Sequence, residues 1–197
     1  MLLEHEGRAP VVDPGAWVAP TAVLCGDVRV AAGARVLWNA VLVDDGGPVA
    51  LGEQSIVMEH ALLRGRADHP VHIGPNVIVG PHAHLNGVEV GDGAFIATGA
   101  ALFPGARIGA GAEVRINGVV HVNSVLPEGA VVPIGWIAVG DPAEILPPDR
   151  HDDIWAIQRA LDFPGTVLGI ERGAPAAEAT RRYAELFGRH GDDTVVG

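Results

Sequence analysis

The sequence predicts an all-β solenoid, a parallel β-helix of hexapeptide repeats that is followed by C-terminal α-helices. Small residues often stand two positions before each large one, and glycine-rich corners separate the repeats, as is typical of this fold. Strands alternate with period two and helices repeat near 3.6 residues, so neither explains a strict period of six. Branched apolar residues recur every six positions, with one five-residue step, at Ile73, Val79, Leu85, Val90, Ile96, Leu102, Ile108, Val114, Val120, Leu126 and Val132.

Composition supports this fold and limits the partners. The chain has 197 residues, of which 48% are apolar and only 5% aromatic, which suits a narrow tube of stacked aliphatic side chains. The formal charge of −11 would repel phosphates, so we expect no nucleic acid and no membrane partner. A single cysteine rules out an intrachain disulfide. Because no secretory signal and no 18-residue apolar stretch is evident, we expect a soluble, cytoplasmic protein.

The period of six already runs from Val12, and two longer steps interrupt it. One spans residues 44–48 and the other residues 64–70. Insertions in a solenoid are expelled at a corner, often on the binding face. We therefore predict two loops on neighbouring coils, with a functional role favoured over that of tolerated surface loops.

The chain is predicted to divide into a β-helix domain, residues 1–145, and a helical extension packed on the tube, residues 146–197. The first helix is expected over residues 150–163, with Asp149 as its cap. A second helix is expected over residues 175–189, followed by a frayed tail. The apolar side of the first helix comprises Ile154, Ile157 and Leu161.

Residues 11–145 resemble the γ-carbonic anhydrase-like branch of the hexapeptide-repeat proteins. The resemblance implies a left-handed helix, an exception to the usual handedness of parallel crossovers, and a homotrimer. The segments that carry it are Val18–Val23, Gly26–Val28, Val36–Leu42, Ile73–Val77 and Gly140–Ala143.

The chain departs from that family at the metal site. In register, the three zinc histidines of the family correspond to Arg64, Pro81 and Asn86. Arginine stays cationic, proline has no ligand atom, and a lone asparagine oxygen is a weak zinc ligand. Only two acidic positions of the family's constellation are retained, Asp45 and Glu59. We therefore expect no metal cofactor and no carbonic anhydrase activity by the usual zinc mechanism.

Stacked coils predict which outward side chains are neighbours, since equivalent residues lie about 4.8 Å apart. The positions that correspond to the family's metal site form a patch of apolar side chains with a few polar groups, which is the usual form of a small-molecule site. Cys25 is expected to lie far from the patch and to be inert. One predicted row comprises Cys25, Val43, Arg64, Asn86, Phe103 and His121, and another comprises Val41, Leu62, His84, Ala101 and Val119.

Three functions compete for this patch. In the first, the chain is a metal-independent acyltransferase or thioesterase that acts at a subunit interface, with an acyl-CoA as a candidate substrate. Its catalytic residues would be His82, His84 and Glu59, with His82 favoured over His84 as the base and Glu59 orienting it, because histidine titrates near neutral pH. Its substrate-binding residues would be Arg64, Asn86, Met58 and Phe103.

The second function is a non-catalytic trimer that binds a metabolite or a partner through the same patch. The third is a relocated metal site formed by His60, His82 and His84 together with a neighbouring subunit. Structural roles compete with all three functions. His60 and His82 are also suited to corners, and Arg64 could pair with Glu59 or Asp68 across a subunit interface.

Overall fold

A computed structural model describes all 197 residues and shows a parallel β-solenoid of about eight turns with a few short C-terminal helices. This confirms the predicted β-helix architecture. Three sheets form the walls of the tube. The largest has ten strands, in spatial order Glu144–Leu146, Ile137–Val139, Val119–Val120, Ala101–Leu102, His84–Asn86, Leu62–Arg66, Val41–Asp45, Val23–Cys25, Leu2–Glu4 and Thr194–Val195.

Each of the other two walls has seven strands that pair only in parallel. The first seven-stranded sheet comprises Val11–Val12, Val28–Val30, Val49–Leu51, Val71–Ile73, Glu89–Val90, Arg107–Ile108 and Val125–Leu126. The second comprises Trp17–Val18, Arg35–Val36, Ile56–Val57, Ile78–Val79, Phe95–Ile96, Glu113–Val114 and Val131–Val132.

The period-six residues form the core of the tube. All eleven branched residues of the central repeat point inward, and none is more than 3% exposed. The small residues Ala83, Ala94 and Ala100 are buried between them and fill the narrow parts of the tube. The sequence pattern therefore fixes which side chains face outward, because alternate residues of a strand lie on opposite faces.

Each of the two interruptions begins as a strand extension and ends in a short turn, so the prediction of two neighbouring loops holds only for residues 46–48 and 67–70. Val41–Asp45 and Leu62–Arg66 are the longest strands of the tube and pair along their full length. The extra residues continue the ladder to its end, where Arg66 lies opposite Asp45. This extension buries Asp44 and Asp45, which are 0% and 4% exposed.

The tube ends on an antiparallel strand and a short helix. Glu144–Leu146 folds back on Ile137–Val139, and helix His151–Gln158 follows. Its Ile154 is buried against the end of the tube, and Ile157 and Leu161 pack beside it, as predicted. Asp149 does not cap this helix, because Arg150 occupies the N-cap position and no side chain bonds the first turn.

The remaining chain returns along the tube to its first turn. A π-helix, Pro164–Leu168, precedes helix Ala176–Gly188, which matches the predicted second helix within one residue at each end. A 3-10 helix, Arg189–Asp192, then leads into strand Thr194–Val195. That strand pairs with Leu2–Glu4, so the prediction of a frayed tail is wrong. None of the helices is both long and apolar enough to cross a membrane.

Shortening one inward residue should destabilise the tube measurably. Leu85→Ala removes a completely buried side chain from a wall that cannot collapse freely, because the neighbouring coils hold it in place. We expect a loss of about 2–5 kcal/mol in the free energy of unfolding, measured by urea denaturation. Glu89→Ala, at an exposed site four residues away, should change it by less than about 0.5 kcal/mol. Equal effects would contradict the inward register.

Candidate functional site

The outer face of the ten-stranded sheet carries two stacked rows of side chains. Arg64 lies opposite Val43 on one neighbouring strand and opposite Asn86 on the other. Leu62 is flanked in the same way by Val41 and His84. Both predicted rows are confirmed by this register.

The C-terminal extension covers the first of these rows, which we call the covered row: Cys25, Val43, Arg64, Asn86, Phe103 and His121. Phe163 packs on Phe103 and His121, with ring centroids 5.7 Å and 5.6 Å away. Phe187 lies beneath the guanidinium of Arg64, whose central carbon is 4.9 Å from the ring centroid. The extension therefore occupies much of the surface that the sequence analysis assigned to a ligand.

The second row, which we call the open row, comprises Val41, Leu62, His84, Ala101 and Val119. Its apolar members are only partly buried, and His84 is exposed. Partial loss of hydration lowers the pKa of His84, and the positive charge of Arg64 lowers that pKa further. His84 is therefore a neutral imidazole at pH 7, which is the form that can accept a proton.

Arg64 is held by an acidic partner from the extended strand. Its Nε lies 2.9 Å from Oδ2 of the buried Asp45. The two terminal nitrogens of its guanidinium make no hydrogen bond within the chain. They are available to an anion, and a guanidinium binds a carboxylate or phosphate in a fork.

A recess of about 370 Å³ lies between the two rows and the end of the extension. It combines apolar walls with a few convergent polar groups, which is the usual composition of a small-molecule pocket. Cys25 lines it together with Arg64, so the expectation that Cys25 lies far from the site is wrong. The lining residues are Leu3, Val23, Cys25, Val41, Val43, Asp45, Arg64, Phe187, His190 and Asp193.

Four other predicted residues lie at the corner that joins the ten-stranded sheet to the second seven-stranded sheet. His60 and His82 occupy left-handed turns, with φ of 60° and 57°, and their rings stack at 5.0 Å. The backbone N–H of His82 donates to the carbonyl of Glu59, but neither side chain is hydrogen-bonded to another residue of the chain. Met58 is half-buried beside them.

Asn86 and Phe103 are part of the covered row. Asn86 is 6% exposed, and its buried Oδ1 has no hydrogen-bond partner in the chain. The ring of Phe103 contacts Phe163 of the extension on one side and its row neighbour His121 on another. Burial lowers the pKa of His121, although a hydrogen bond with the backbone of Val122 partly offsets the effect. His121 is therefore a neutral ring in an aromatic cluster.

A second cluster of ionisable groups lies at the first turn of the tube. Asp193 is within hydrogen-bond distance of His5, His190 and Cys25, at 2.6, 2.8 and 3.1 Å. His190 also reaches Oδ1 of Asp45 at 2.7 Å through its Nε2. Sequence reasoning missed this cluster, because its members are up to 188 residues apart and lie in no local motif.

The groups of this cluster perturb one another. Burial raises the pKa of the Cys25 thiol to about 12, and the carboxylate of Asp193 contributes to the rise. Burial opposes the charged form of His190, but hydrogen bonds to Asp45 and Asp193 outweigh it and raise that pKa. Burial likewise opposes ionisation of Asp193, but its hydrogen bonds to His190, His5 and Cys25 lower that pKa.

The side chains at the three places that the resemblance assigns to zinc do not fit that metal. Arg64 faces Asp45 with its Nε, and Pro81 has no ligand atom. Asn86 offers only one amide oxygen, which is a poor zinc ligand without nitrogen or sulfur donors beside it. The ligand atoms of His60, His82 and His84 do not converge within one chain either.

Comparison with known proteins supports the resemblance. Over 96 residues the chain is 36% identical to the mitochondrial gamma carbonic anhydrase 1 of Arabidopsis thaliana, a match that covers 45% of this chain and 34% of that protein. Over 91 residues it is 35% identical to the carnitine operon protein CaiE of Escherichia coli, covering 46% of each. The chain thus spans less than half the length of these curated relatives. No protein-family model matches it.

Solved structures support the fold. A hexapeptide transferase family protein from Anaplasma phagocytophilum superposes with a TM-score of 0.51 at 23% identity, covering 82% of this chain and 92% of that one. At that identity the likeness concerns the fold alone. The curated relatives and the β-solenoid together fit a γ-carbonic anhydrase-like hexapeptide-repeat protein, which confirms the resemblance read from the sequence.

Docking of the extension on the covered row should depend on Phe163. Phe163→Ala removes the ring that packs on Phe103 and His121, so helix Ala176–Gly188 should detach more often from the tube. We expect faster hydrogen exchange in that helix and faster proteolysis between residues 159 and 175. Phe95→Ala, on the second seven-stranded sheet and away from the extension, should leave both rates unchanged. Unchanged rates in Phe163→Ala would contradict the docking.

Proposed function

We propose that the chain is a trimeric, metal-independent enzyme that transfers or hydrolyses an acyl group at a subunit boundary. His84 is the general base, and Arg64 binds an anionic part of the substrate. The observation that supports this proposal most strongly is the environment of His84. It is a neutral, accessible imidazole in an apolar row, with a guanidinium close enough to lower its pKa.

The trimer is supported by apolar surface next to the open row. Large apolar side chains are exposed along the corner that joins the ten-stranded sheet to the second seven-stranded sheet. Trp17 and Trp38 meet there edge to face, with ring centroids 5.3 Å apart. Apolar side chains exposed along one edge of a single chain indicate an interaction surface, here with the polar Glu59 and His82 between its two apolar ends. Its main members are Trp17, 41% exposed, Trp38, 47%, Ile116, 45%, and Ile134, 63%.

Acyl transfer matches what His84 and Arg64 can do. The neutral imidazole takes the proton of an attacking hydroxyl, amine or water as that nucleophile adds to the thioester carbonyl. The carbon–sulfur bond then breaks, and the thiolate leaves with the proton that His84 returns. The terminal nitrogens of Arg64 hold a carboxylate or phosphate of the substrate, and an acyl-CoA carries phosphates.

The other predicted site residues have supporting roles in this proposal. His82 and Glu59 lie at the corner, where a neighbouring subunit would approach, and they would line the site from that side. The unpartnered Oδ1 of Asn86 is an acceptor for a substrate N–H or O–H. Met58 and Phe103 would supply apolar contacts, although Phe103 already packs against Phe163.

One observation favours the non-catalytic alternative, in which the same surface binds a metabolite or partner. No side chain of the chain hydrogen-bonds to His84 or to Glu59, so no group within one subunit orients the base. A general base normally has such a partner. A wild-type trimer that binds acyl-CoA thioesters and never releases a free thiol would support this alternative.

The first prediction concerns assembly. Because the exposed tryptophans and isoleucines need cover, the purified chain should be a homotrimer at micromolar concentration. Light scattering with size-exclusion chromatography should give three times the 20.4 kDa chain mass. Trp38→Glu, which places a charge in that surface, should yield monomers, whereas Trp155→Glu on the first helix should not. A monomeric wild type would contradict the subunit-boundary site.

The second prediction concerns the pH dependence of turnover. His84 must be neutral to act, so the rate of thiol release from acetyl-CoA should rise with pH, with a midpoint below the ordinary histidine pKa of 6.5. Arg64→Met removes a charge that lowers the pKa of His84. The acidic limb of the pH–rate profile should therefore move to higher pH. Arg64→Lys keeps the charge and should keep the limb near its original position.

Loss of the base tests the assignment directly. His84→Ala should lower the rate by about 10²–10⁴-fold, the usual contribution of a general base. His72→Ala, at an exposed site on the first seven-stranded sheet, should retain the wild-type rate. Full activity in His84→Ala, or an acidic limb that does not move in Arg64→Met, would contradict the proposed role of His84.

A further inference from the structure

Four side chains with metal-ligating atoms converge at the first turn of the tube, and both ends of the chain contribute to them. One ligand atom from each of His5, Cys25, His190 and Asp193 lies within 4.8 Å of every other. His5 and Cys25 are 1% and 3% exposed, so the group is built into the interior and is not a surface cluster. This site adjoins the proposed acyl-transfer site at Arg64, but its four ligands are other residues and the inference does not rest on acyl transfer.

The sheet fixes the positions of these ligands. Leu3 pairs with Cys25 on one side and with Val195 on the other, so the first strand lies between the two chain segments that supply the ligands. His5 follows that strand directly, and Asp193 directly precedes the last strand. Backbone hydrogen bonds therefore hold the set in place before any ion arrives, which lowers the entropy cost of binding.

The donor set is typical of zinc. Two imidazoles, one thiolate and one carboxylate provide nitrogen, sulfur and oxygen ligands in the number that tetrahedral Zn²⁺ takes. Metal–ligand bonds of about 2.0–2.3 Å place ligand atoms roughly 3.3–3.8 Å apart around a tetrahedral ion. The separations of Cys25 Sγ from Asp193 Oδ2 and from His190 Nδ1 are 3.1 Å and 3.8 Å, and that of His5 Nδ1 from Asp193 Oδ1 is 2.6 Å. The contacts of Asp193 with His5, His190 and Cys25, at 2.6, 2.8 and 3.1 Å, are hydrogen bonds that would have to lengthen toward that range when an ion binds.

The residues that contact the proposed ligands also match those around a metal site. A metal-bound histidine usually donates its other ring N–H to a carboxylate, which fixes the ring orientation. His190 faces the cluster with Nδ1 and reaches Asp45 Oδ1 at 2.7 Å with Nε2. Asp45 is in turn paired with Arg64 at 2.9 Å, and Arg64 stacks over Phe187. The strand extension that buries Asp45 thus provides the second layer of the site.

The charge balance also favours a cation. The carboxylates of Asp44 and Asp45 are each paired with an arginine, Arg8 at 3.0 Å and Arg64 at 2.9 Å. Asp193 has no arginine or lysine partner and faces only two histidines and the thiol of Cys25. Binding of a divalent ion would displace the proton of the Cys25 thiol and the proton that Asp45 and Asp193 favour on His190, which leaves a thiolate, a carboxylate and two neutral imidazoles around the ion.

We propose that His5, Cys25, His190 and Asp193 form a structural zinc site that joins the C-terminal strand to the first turn of the tube. Four protein ligands leave no open position, which is typical of a structural and not a catalytic zinc ion. The ion caps the open end of the solenoid, a place where repeat proteins need a dedicated closure. This proposal departs from the expectation of no metal, which was based only on the family's histidine positions.

Cobalt spectroscopy tests the proposal sharply, because Cys25 is the only cysteine of the chain. The untagged wild-type chain, freed of metal by a chelator, is titrated with Co²⁺. We expect one equivalent to bind per chain, with visible bands of tetrahedral cobalt and a near-ultraviolet thiolate-to-cobalt band that only Cys25 can produce. One equivalent of Zn²⁺ should displace the cobalt and remove both signals.

Variants locate the ion. Cys25→Ser should abolish the thiolate band, and Asp45→Asn should weaken cobalt binding by about 10–100-fold at unchanged stoichiometry. His82→Ala should bind like the wild type. If Cys25→Ser does not fold, the wild type still decides: zinc at 100 times its dissociation constant should raise its melting temperature by about 5 °C or more.

Three results would overturn the proposal. The first is the absence of a thiolate band in the wild type at saturating Co²⁺. The second is a loss of binding in His82→Ala, which would place the ion at the corner histidines. The third is a melting temperature that zinc does not change.

Discussion

The structure depends on one constraint, the inward register of the aliphatic column. Leu42, Leu63 and Leu85 are completely buried on successive strands of the ten-stranded sheet. A shift of one residue would turn these side chains outward and bring Arg64 into the tube, where nothing could pair with it. Burial of apolar surface therefore determines which residues stack on the outer face, and so which groups can form a site.

The second constraint is the return of the C-terminal extension along that face. It covers one row of side chains and leaves the other accessible, so the predicted patch is divided into two parts. Arg64 lies at the boundary, paired with Asp45 and stacked over Phe187, and its charge also reaches His84. The two proposed sites share this arginine but use different chemistry, since one needs a free imidazole and the other needs a buried thiolate.

The sequence predicted the tube and the stacked rows because period six is a local pattern that burial enforces at every coil. It also suited His60 and His82 to corners, where the structure places them in left-handed turns with stacked rings. It failed for the strand extensions, since a residue pattern does not show whether an insertion leaves the sheet or continues its ladder. The tail was misjudged because Thr194–Val195 gains its order only by pairing with the first strand.

The metal cluster was beyond sequence reasoning for a similar physical reason. His5 and Asp193 are 188 residues apart, and no spacing along the chain predicts that they meet. Only the length and path of the extension bring them together. Cys25 carried no local signal either, because its pairing with the chain terminus depends on a contact between the two ends of the protein.

The central claim is that the end of the chain closes on the first turn of the tube and forms a metal site there. A crystal structure of the untagged protein grown with zinc, with anomalous data at the zinc edge, tests it most directly. We expect one peak per chain within bonding distance of Cys25 Sγ and Asp193, with Thr194–Val195 paired to Leu2–Glu4. A peak among His60, His82 and His84 instead, or a C-terminal segment that lies away from Cys25, would contradict the claim.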